Sequence, residues 1–447
     1  MHAPLDTLTE ALLTAARRAG ADAADAMAVA GTALSIDIRQ GRLEQAERSE
    51  GVEIGLRVLL GRRQACVSAS DTAAATIAAL AERAVAMARE APEDPFAGLA
   101  DPGQIARSWN VEALELVDPA AEPEAAMLES DARAAEAAAL ARSGITQVEA
   151  SASYSRRAVH IAATNGFAGG YARSSRSVSA VAFTGEGTAM ERDWAGEQRI
   201  FQADLPDPAT VGALAADRAL ARPGARKPRT GPCPVLYDER VAAGLIGHLL
   251  SAVNGQAVAR GASWLRDALG QQVLPRGLSV IEDPLRPRAA QSRPFDAEGL
   301  ATARRLVIDD GILTGWTLDL ATARKLGLAS TANASRGTSA PPSPGTSNID
   351  LTQGTASRDD LIRDMGTGLL VTALLGSSIN ATTGDYSRGA SGFWVENGQI
   401  AYPVNEVTIA GNLRQMLRTI VPADDARPHL STRVPSLLVE GLTLAGA

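Results

Sequence analysis

The stretch Asp238-Glu239-Arg240-Val241-Ala242-Ala243-Gly244-Leu245-Ile246-Gly247-His248-Leu249-Leu250-Ser251-Ala252-Val253-Asn254-Gly255 reads as one helix. Asp238 is placed to accept hydrogen bonds from the first free backbone amides, and Asn254-Gly255 is expected to supply a left-handed stop. Val241, Leu245, Leu249 and Val253 recur every four residues with Ile246 and Leu250 beside them, which predicts a broad buried face. One histidine, His248, sits within that face, preceded by Gly244 and Gly247.

Outward from this helix the chain alternates between two textures. Before it, Thr7-Leu8-Thr9-Glu10 matches a capping box opening a first helix that runs to Ala19-Gly20. An antiparallel meander is expected over 33–70, with turns at Gln40-Gly41, Glu50-Gly51 and Gly61-Arg62. An alanine-rich helix follows from Asp71 to Glu90, and 91–118, rich in Pro, Asp and Gly, reads as a linker or long loop. A helix over 119–143 then leads to strands over 148–155, 158–164 and 170–183, the last two joined at Asn165-Gly166. A helix over 208–221 precedes a Pro-, Gly- and Arg-rich stretch at 222–232, the best boundary in the chain. After it come a strand over 233–237, the opening helix, and strand pairs turning at Asp310-Gly311 and Asn397-Gly398.

The expected fold is therefore α+β. An N-terminal sandwich-like region of helices and antiparallel strands, 1–225, precedes a mostly antiparallel β domain, 230–447, carrying one central helix. Two similar α+β units, about 1–95 and 119–222, fit the order of elements, although no residue-level identity marks a repeat.

With 447 residues, 45% hydrophobic and 21% charged, the composition is that of a globular protein with a sizeable core. A net charge of −8 and scarce aromatics argue against a nucleic-acid partner. No apolar run approaches the roughly 20 residues that span a bilayer. The N-terminus lacks the basic and apolar regions of a leader, and Cys66 and Cys233 form no CxxC pair, so a cytoplasmic protein with reduced thiols is expected.

No phosphate loop, CxxC zinc arrangement or nucleophile elbow is present, and Gly185-Glu186-Gly187 reads as a strand-end turn. Four histidines (His2, His160, His248, His429) leave little for a multi-histidine metal site. Metalloprotease helices pair two histidines with a glutamate directly after the first. Here Ala243 and Gly244 stand five and four residues before His248, and neither binds metal or takes a proton. His248 can be an acid/base or a packed ring with one hydrogen bond, and with no carboxylate on its face the packed reading is the plainer. The polar run 382–392 offers Asp385, Tyr386, Ser387, Arg388 and Ser391 either to a ligand-facing or interface loop or to a turn packed against a strand. Ser391 has no sequence-local base to make it a nucleophile. The run 330–345, dense in Ser, Thr, Gly and Pro, reads as a mobile loop.

Five segments together resemble one family. They are Gly244-Leu245-Ile246-Gly247-His248-Leu249-Leu250-Ser251-Ala252-Val253, Ser292-Arg293-Pro294-Phe295-Asp296-Ala297-Glu298-Gly299, Thr322-Ala323-Arg324-Lys325-Leu326-Gly327, Thr383-Gly384-Asp385-Tyr386-Ser387-Arg388-Gly389-Ala390-Ser391-Gly392-Phe393-Trp394-Val395-Glu396-Asn397-Gly398, and Pro435-Ser436-Leu437-Leu438-Val439-Glu440-Gly441-Leu442. The family is TldD/PmbA, and the branch resembled is PmbA (TldE). The resemblance runs over essentially the whole chain and is strongest after about residue 230.

It implies a peptide-processing system. TldD-type chains carry a zinc helix, His-Glu-x-x-x-His, and a cysteine ligand near the C-terminus. They pair with PmbA-type chains in a heterodimeric protease for unfolded peptides or peptide precursors. On that comparison His248 falls at the second histidine, Ala243 and Gly244 replace the first histidine and the glutamate, and no cysteine follows Cys233. The resemblance thus implies a subunit with no metal or catalytic residue of its own and no cofactor, zinc being expected in a TldD-type partner. Two further readings stay open: a homo-oligomeric peptide-binding protein without activity, and a metal-independent hydrolase using His248 with Asp385 and Ser387.

Overall fold

The computed structural model describes residues 3–446, with Ser377 described by its backbone alone. Met1, His2 and Ala447 lie outside the described residues, and with them the first two residues of the N-terminus read above as lacking a leader.

The N-terminal half is built on one six-stranded antiparallel sheet. Its strands are β1 (Ala23–Arg39), β2 (Arg42–Leu60), β3 (Arg63–Ala69), β4 (Ile145–Ala163), β5 (Ala168–Thr184) and β6 (Glu191–Arg199), in the order β3-β2-β1-β4-β5-β6. The two groups of elements seen in the sequence meet at the central β1–β4 pair. Strand periodicity sorts the sheet's two faces. Ala24, Ala26 and Ala28 of β1 share a core with α1 (Leu5–Arg18) and α2 (Ala74–Glu90). Leu34, Ile36 and Ile38, in the same phase, share one with α3 (Ala125–Leu140) and α4 (Pro208–Leu220). Met27 and Val29, in the opposite phase, pack with Phe167, Phe295 and Leu300, so that face meets the C-terminal half.

Several boundaries differ from those expected. The helix α1 begins three residues before the capping box would start it, behind Pro4, with no side-chain cap. Thr9 instead donates to the Asp6 carbonyl at 2.9 Å and meets Nδ1 of His160 at 2.9 Å. The β1 strand starts at Ala23, ten residues before the expected alternation, because alanine carries little strand signal. Glu50-Gly51 is no turn: β2 runs straight through, pairing Glu50 with Thr32 and Gly51 with Gly31. Likewise β4 is one strand where two were expected. Residues 91–118 form a packed strap rather than a free linker, burying Ala100, Ile105, Leu114 and Leu116. The turns at Gln40-Gly41 and Gly166 hold, in the left-handed backbone that such hairpins need.

The C-terminal half continues with β7 (Gly231–Tyr237), α5 (Glu239–Ala252), α6 (Gly255–Ala259), β8 (Val280–Glu282), β9 (Arg305–Asp309), β10 (Ile312–Leu313) and α7 (Leu320–Leu326). Next come β11 (Ala334–Ser335), β12 (Ser343–Pro344), β13 (Ile349–Leu351), α8 (Arg358–Met365), β14 (Gly368–Ile379), β15 (Asp385–Glu396) and β16 (Gln399–Asn412). The chain ends with α9 (Leu413–Arg418), β17 (Val421–Pro422), β18 (Thr432–Arg433) and β19 (Leu437–Ala445). Strands β16-β15-β14-β7-β19 pair in that order, and β16 also pairs with β19, closing a barrel. Leu245, Ile246 and Leu249 of α5 share the large core with Val235, Val371, Ile409 and Val439 of its strands. Val235 and Val371 come from the parallel pair β7–β14, which has α5 and the following segments as its crossover.

Salt bridges fasten the edge strand β6 to the C-terminal half. Asp193 pairs with Arg240 and Glu197 with Arg427, and His429 stands 3.2 Å from Glu197. Burial alone would raise the Glu197 carboxyl, but His429, Arg199 and Arg427 outweigh it and lower it to about 2.

Candidate functional site

The quoted helix begins as its sequence dictates and ends differently. The Asp238 carboxylate accepts from the amide of Arg240 at 3.2 Å. Burial would raise this carboxyl, but Arg240 and Arg358 together hold it below the ordinary value. At the other end Val253, not a left-handed glycine, closes α5. Asn254 starts a new turn by accepting from Gln256, and Gly255 is the first residue of α6. Gly255 sits so close to Leu318 that an added Cβ would lie 2.4 Å from its side chain, so the glycine serves packing rather than a stop.

Of the positions compared with a zinc motif, Ala243 borders a cleft, Gly244 has open space at its Cβ position, and His248 turns inward. Ala243 and Gly247, with Leu250, Ser251 and Asn254, line a cleft of about 360 Å³ closed opposite by Gln291, Thr317 and Thr346. A Cβ added at Gly244 or Gly247 would meet nothing within 4 Å. His248 lies half-buried, with its ring edge-on to Tyr386 at 5.9 Å between centroids. Its Nε2 is buried without a hydrogen-bond partner among the described residues. The single hydrogen bond expected of a packed ring is therefore not made by this nitrogen. Burial, helped by the charge of Arg388, holds the imidazole below its ordinary pKa, so the neutral ring is favoured. These residues do not fit a zinc ion. Alanine and glycine offer no ligand, and among the described residues no three His, Cys, Asp or Glu side chains gather in a metal-binding arrangement.

The polar run expected as a loop is mostly strand. Only Thr382-Thr383-Gly384 turns, and β15 runs from Asp385 onward. Asp385 is exposed and accepts from the Thr383 hydroxyl at 2.6 Å and the Asn412 amide at 3.0 Å, knitting the turn together. Tyr386 is buried and its hydroxyl accepts from the Tyr237 hydroxyl at 3.4 Å. Ser387 and Arg388 are half-buried, and Nε of Arg388 has no partner among the described residues. Ser391 is buried where the β15–β16 pairing slips, and its hydroxyl accepts from Arg222 at 3.1 Å. A guanidinium cannot act as a base, so the arrangement does not activate Ser391. Tyr386, Arg388 and His248 do come together, but Asp385 and Ser391 point elsewhere.

A second constellation forms where the two halves meet, and sequence reasoning gave it no chemistry. Phe295 packs edge-on against Trp109, Phe167 and Tyr171, with centroids 5.0 to 5.5 Å apart. Beside it the Asp296 carboxylate accepts three backbone N–H groups, from Glu298, Leu300 and Ala334. Burial still raises Asp296, and burial with the neighbouring Asp296 charge pushes Glu298 up to about 8. Glu298 is thereby kept largely protonated at neutral pH while accepting from the Leu320 amide at 2.9 Å.

Asp25, across the junction, is also buried. Burial would raise it, but Arg336 and Arg57 outweigh that and hold it ionised. Arg336 comes from the run 330–345, which is not a mobile loop. It carries β11 and β12, buries Asn333, Ala334 and Thr338, and fixes Arg336 in an ion pair with Asp25. A composition of Ser, Thr and Gly hid this, because charge pairing rather than apolar burial holds the segment. The signal available was one of the chain's scarce aromatics, Phe295, set beside two acids in Ser292-Arg293-Pro294-Phe295-Asp296-Ala297-Glu298-Gly299. The two thiols take no part: burial raises both, Cys233 to about 11.

Comparison with known proteins adds a lineage. Three profiles match in order: PmbA/TldA metallopeptidase domain 1 over 24–88, the central domain over 107–222 and the C-terminal domain over 230–446. The chain is 38% identical to "Metalloprotease PmbA" of Escherichia coli O157:H7, covering 98% of this chain and 96% of that protein. It is 34% identical to "Metalloprotease PmbA homolog" of Haemophilus influenzae, over 96% and 94% of the two. A crystal structure from Bacteroides thetaiotaomicron, of a protein described as a candidate modulator of DNA gyrase, superposes with a TM-score of 0.91 at 26% identity, covering 99% and 98%. TldE from Thermococcus kodakarensis shares the fold, with a TM-score of 0.85 at 18% identity over 98% of this chain and all of that one (100%).

Proposed function

The chain belongs to the PmbA/TldD metallopeptidase family, in its PmbA/TldE branch, and on that footing we propose that it is the non-zinc subunit of a peptide-degrading or peptide-maturing complex. The carrying observation is helix α5, where Ala243, at the edge of a cleft, and Gly244, with open space at its Cβ position, stand at the motif positions and neither offers a ligating atom. Zinc and the activated water belong, on this reading, to a TldD-type partner. This chain shapes the enclosure and stabilises that partner. Peptide is held extended, where backbone hydrogen bonds give affinity that tolerates many sequences. The cytoplasm, where both thiols stay reduced, is the expected location. Among the described residues no helix is long and apolar enough to cross a membrane.

Co-expression with a TldD-type partner, size exclusion and a peptide-cleavage assay test the proposal. A co-eluting pair whose cleavage needs both chains and is stopped by a chelator is the expected result. Undiminished cleavage by the partner alone would refute it. A stable homodimer that takes up peptide and ignores the partner would support the binding-protein reading instead. Chelator-resistant cleavage by this chain alone, lost in His248→Ala, would support the metal-independent hydrolase.

A further inference from the structure

The junction between the two halves contains a cleft of about 200 Å³ lined by Arg157, Arg173, Arg293 and Arg336, with Tyr171 and Phe295 beside them. Arg157 on β4 and Arg173 on β5 are direct cross-strand partners. Like charges placed opposite each other in a sheet repel, so this pairing costs stability unless something negative lies between or beside them. The rest of the site does little to supply that charge. Arg173 donates to the carbonyls of Ala290 and Ser292, and Arg293 to those of Ala334 and Gly345. Carbonyl oxygens fix a guanidinium's orientation without cancelling its charge. Nε of Arg293 is buried with no partner among the described residues, and Arg157 is exposed with no ion pair among them.

Two carboxylates stand near, and both are engaged. Asp296 spends its oxygens on three backbone amides, and Asp25 is shared between Arg57 and Arg336. Four arginines therefore line the cleft with one acid, Asp296, while Asp25 is paired behind it with Arg57 and Arg336, inside a chain whose overall charge is −8. The remaining wall is apolar, formed by Met27, Val159 and Ile161 beside the Phe295 ring. Liquid water takes about 30 Å³ per molecule, so the cleft is the size of one small organic group rather than a long chain.

We propose that this cleft binds the C-terminal carboxylate of a peptide, with the last side chain against the apolar wall and the carboxylate between Arg157 and Arg173. The inference rests on the peptide-binding reading above and assigns to it one end of the peptide. The apolar wall favours a backbone carboxylate with an apolar side chain beside it over free phosphate, which would leave that wall unused. Fork-shaped guanidinium groups suit a planar two-oxygen anion, and the cross-strand arrangement brings two of them together.

The test uses the full chain and two labelled peptides, identical except that one ends in a free acid and the other in an amide. Fluorescence anisotropy should show the acid binding roughly tenfold tighter. Arg157→Gln should abolish that preference while leaving amide binding unchanged, and Arg157→Lys should restore part of it. Because Arg157 is exposed and has no ion pair among the described residues, neither variant breaks a salt bridge. Equal affinity for acid and amide overturns the carboxylate site while the peptide-binding reading stands. Binding of neither peptide, by this chain alone or with a TldD-type partner added, overturns both. Inorganic phosphate displacing the acid peptide at lower concentration than N-acetyl-leucine overturns the carboxylate assignment in favour of phosphate.

Discussion

Replacing Arg336 by methionine should expose how much of the fold rests on one buried charge. The Arg336 side chain is 1% exposed and its partner Asp25 5%, 311 residues apart in sequence. Arg57 also bonds Asp25, through Nε at 2.6 Å, and is itself 5% exposed. Removing one member of a buried ion pair costs about 3–5 kcal/mol, because the other charge stays desolvated. Arg57 remains to neutralise Asp25, so the lower end, about 3 kcal/mol, is expected. For a domain of the size that first unfolds, about 2–4 °C per kcal/mol gives a fall of about 6–12 °C in Tm.

The pH response carries the sharper signature. In the native protein Asp25 lies below its ordinary value, so its contribution is present above the unfolded pKa and lost as pH falls through the folded one. Without Arg336, burial is opposed by Arg57 alone and the carboxyl rises. The deficit should then be full at about pH 7 and shrink toward zero as pH falls below 3.8, where the native carboxylate too is protonated. Urea unfolding across that range reads this directly, with Arg39→Met as control, since the Arg39–Glu44 pair is 40% and 51% exposed and contributes under about 1 kcal/mol. A loss below about 1 kcal/mol in Arg336→Met, or one that does not change with pH, would refute the reasoning.

Three further outcomes are expected. Glu298, raised from 4.5 to about 8, holds its full contribution below 4.5 and loses it as pH rises to about 8. Glu298→Gln should flatten that slope in urea midpoints, and an unchanged slope would count against a protonated Glu298. Gly55→Ala would place a Cβ 2.1 Å from the Thr338 carbonyl oxygen, forcing 330–345 off the sheet at a cost of about 1–3 kcal/mol. Faster hydrogen exchange there should follow, whereas Gly51→Ala, with no atom within 4 Å of its Cβ, should leave it alone. His248→Phe should be neutral or stabilising by about 1 kcal/mol, since it removes a buried nitrogen with no partner. A large loss of stability or of partner-dependent cleavage would give His248 a role the geometry does not show.

What the sequence revealed follows the kind of force at work. Period-four apolar residues announced α5, and Asn165-Gly166 and Asn397-Gly398 announced hairpins, because those signals are local. Alanine-rich β1 and the strand through Glu50-Gly51 stayed hidden because pairing with a long neighbour, not propensity, makes them strands. The junction was hidden for another reason. Asp25, Arg57, Asp296, Glu298 and Arg336 are ordinary polar residues until chain segments hundreds of residues apart bring them together. The loop-like composition of 330–345 was misleading in the same way.

On the proposed non-zinc reading, helix α5 would keep the fold while the chemistry sits in another subunit. Its core face, Leu245, Ile246 and Leu249, is fixed by packing among the barrel strands, where losing a methylene costs stability. At Gly244 and Gly247 an added Cβ would meet nothing within 4 Å, so a side chain there can come or go with little effect on the fold. Ligands are therefore the dispensable part of the helix and packing the retained part. That separation makes a definite demand: histidine and glutamate at 243 and 244 should fold, yet remain poor at holding zinc. His248 is turned to Tyr386 beside the cationic Arg388, which opposes a second cation at that ring. If Ala243→His with Gly244→Glu bound zinc stoichiometrically by metal analysis, α5 would carry a dormant site rather than one rebuilt around another subunit's chemistry.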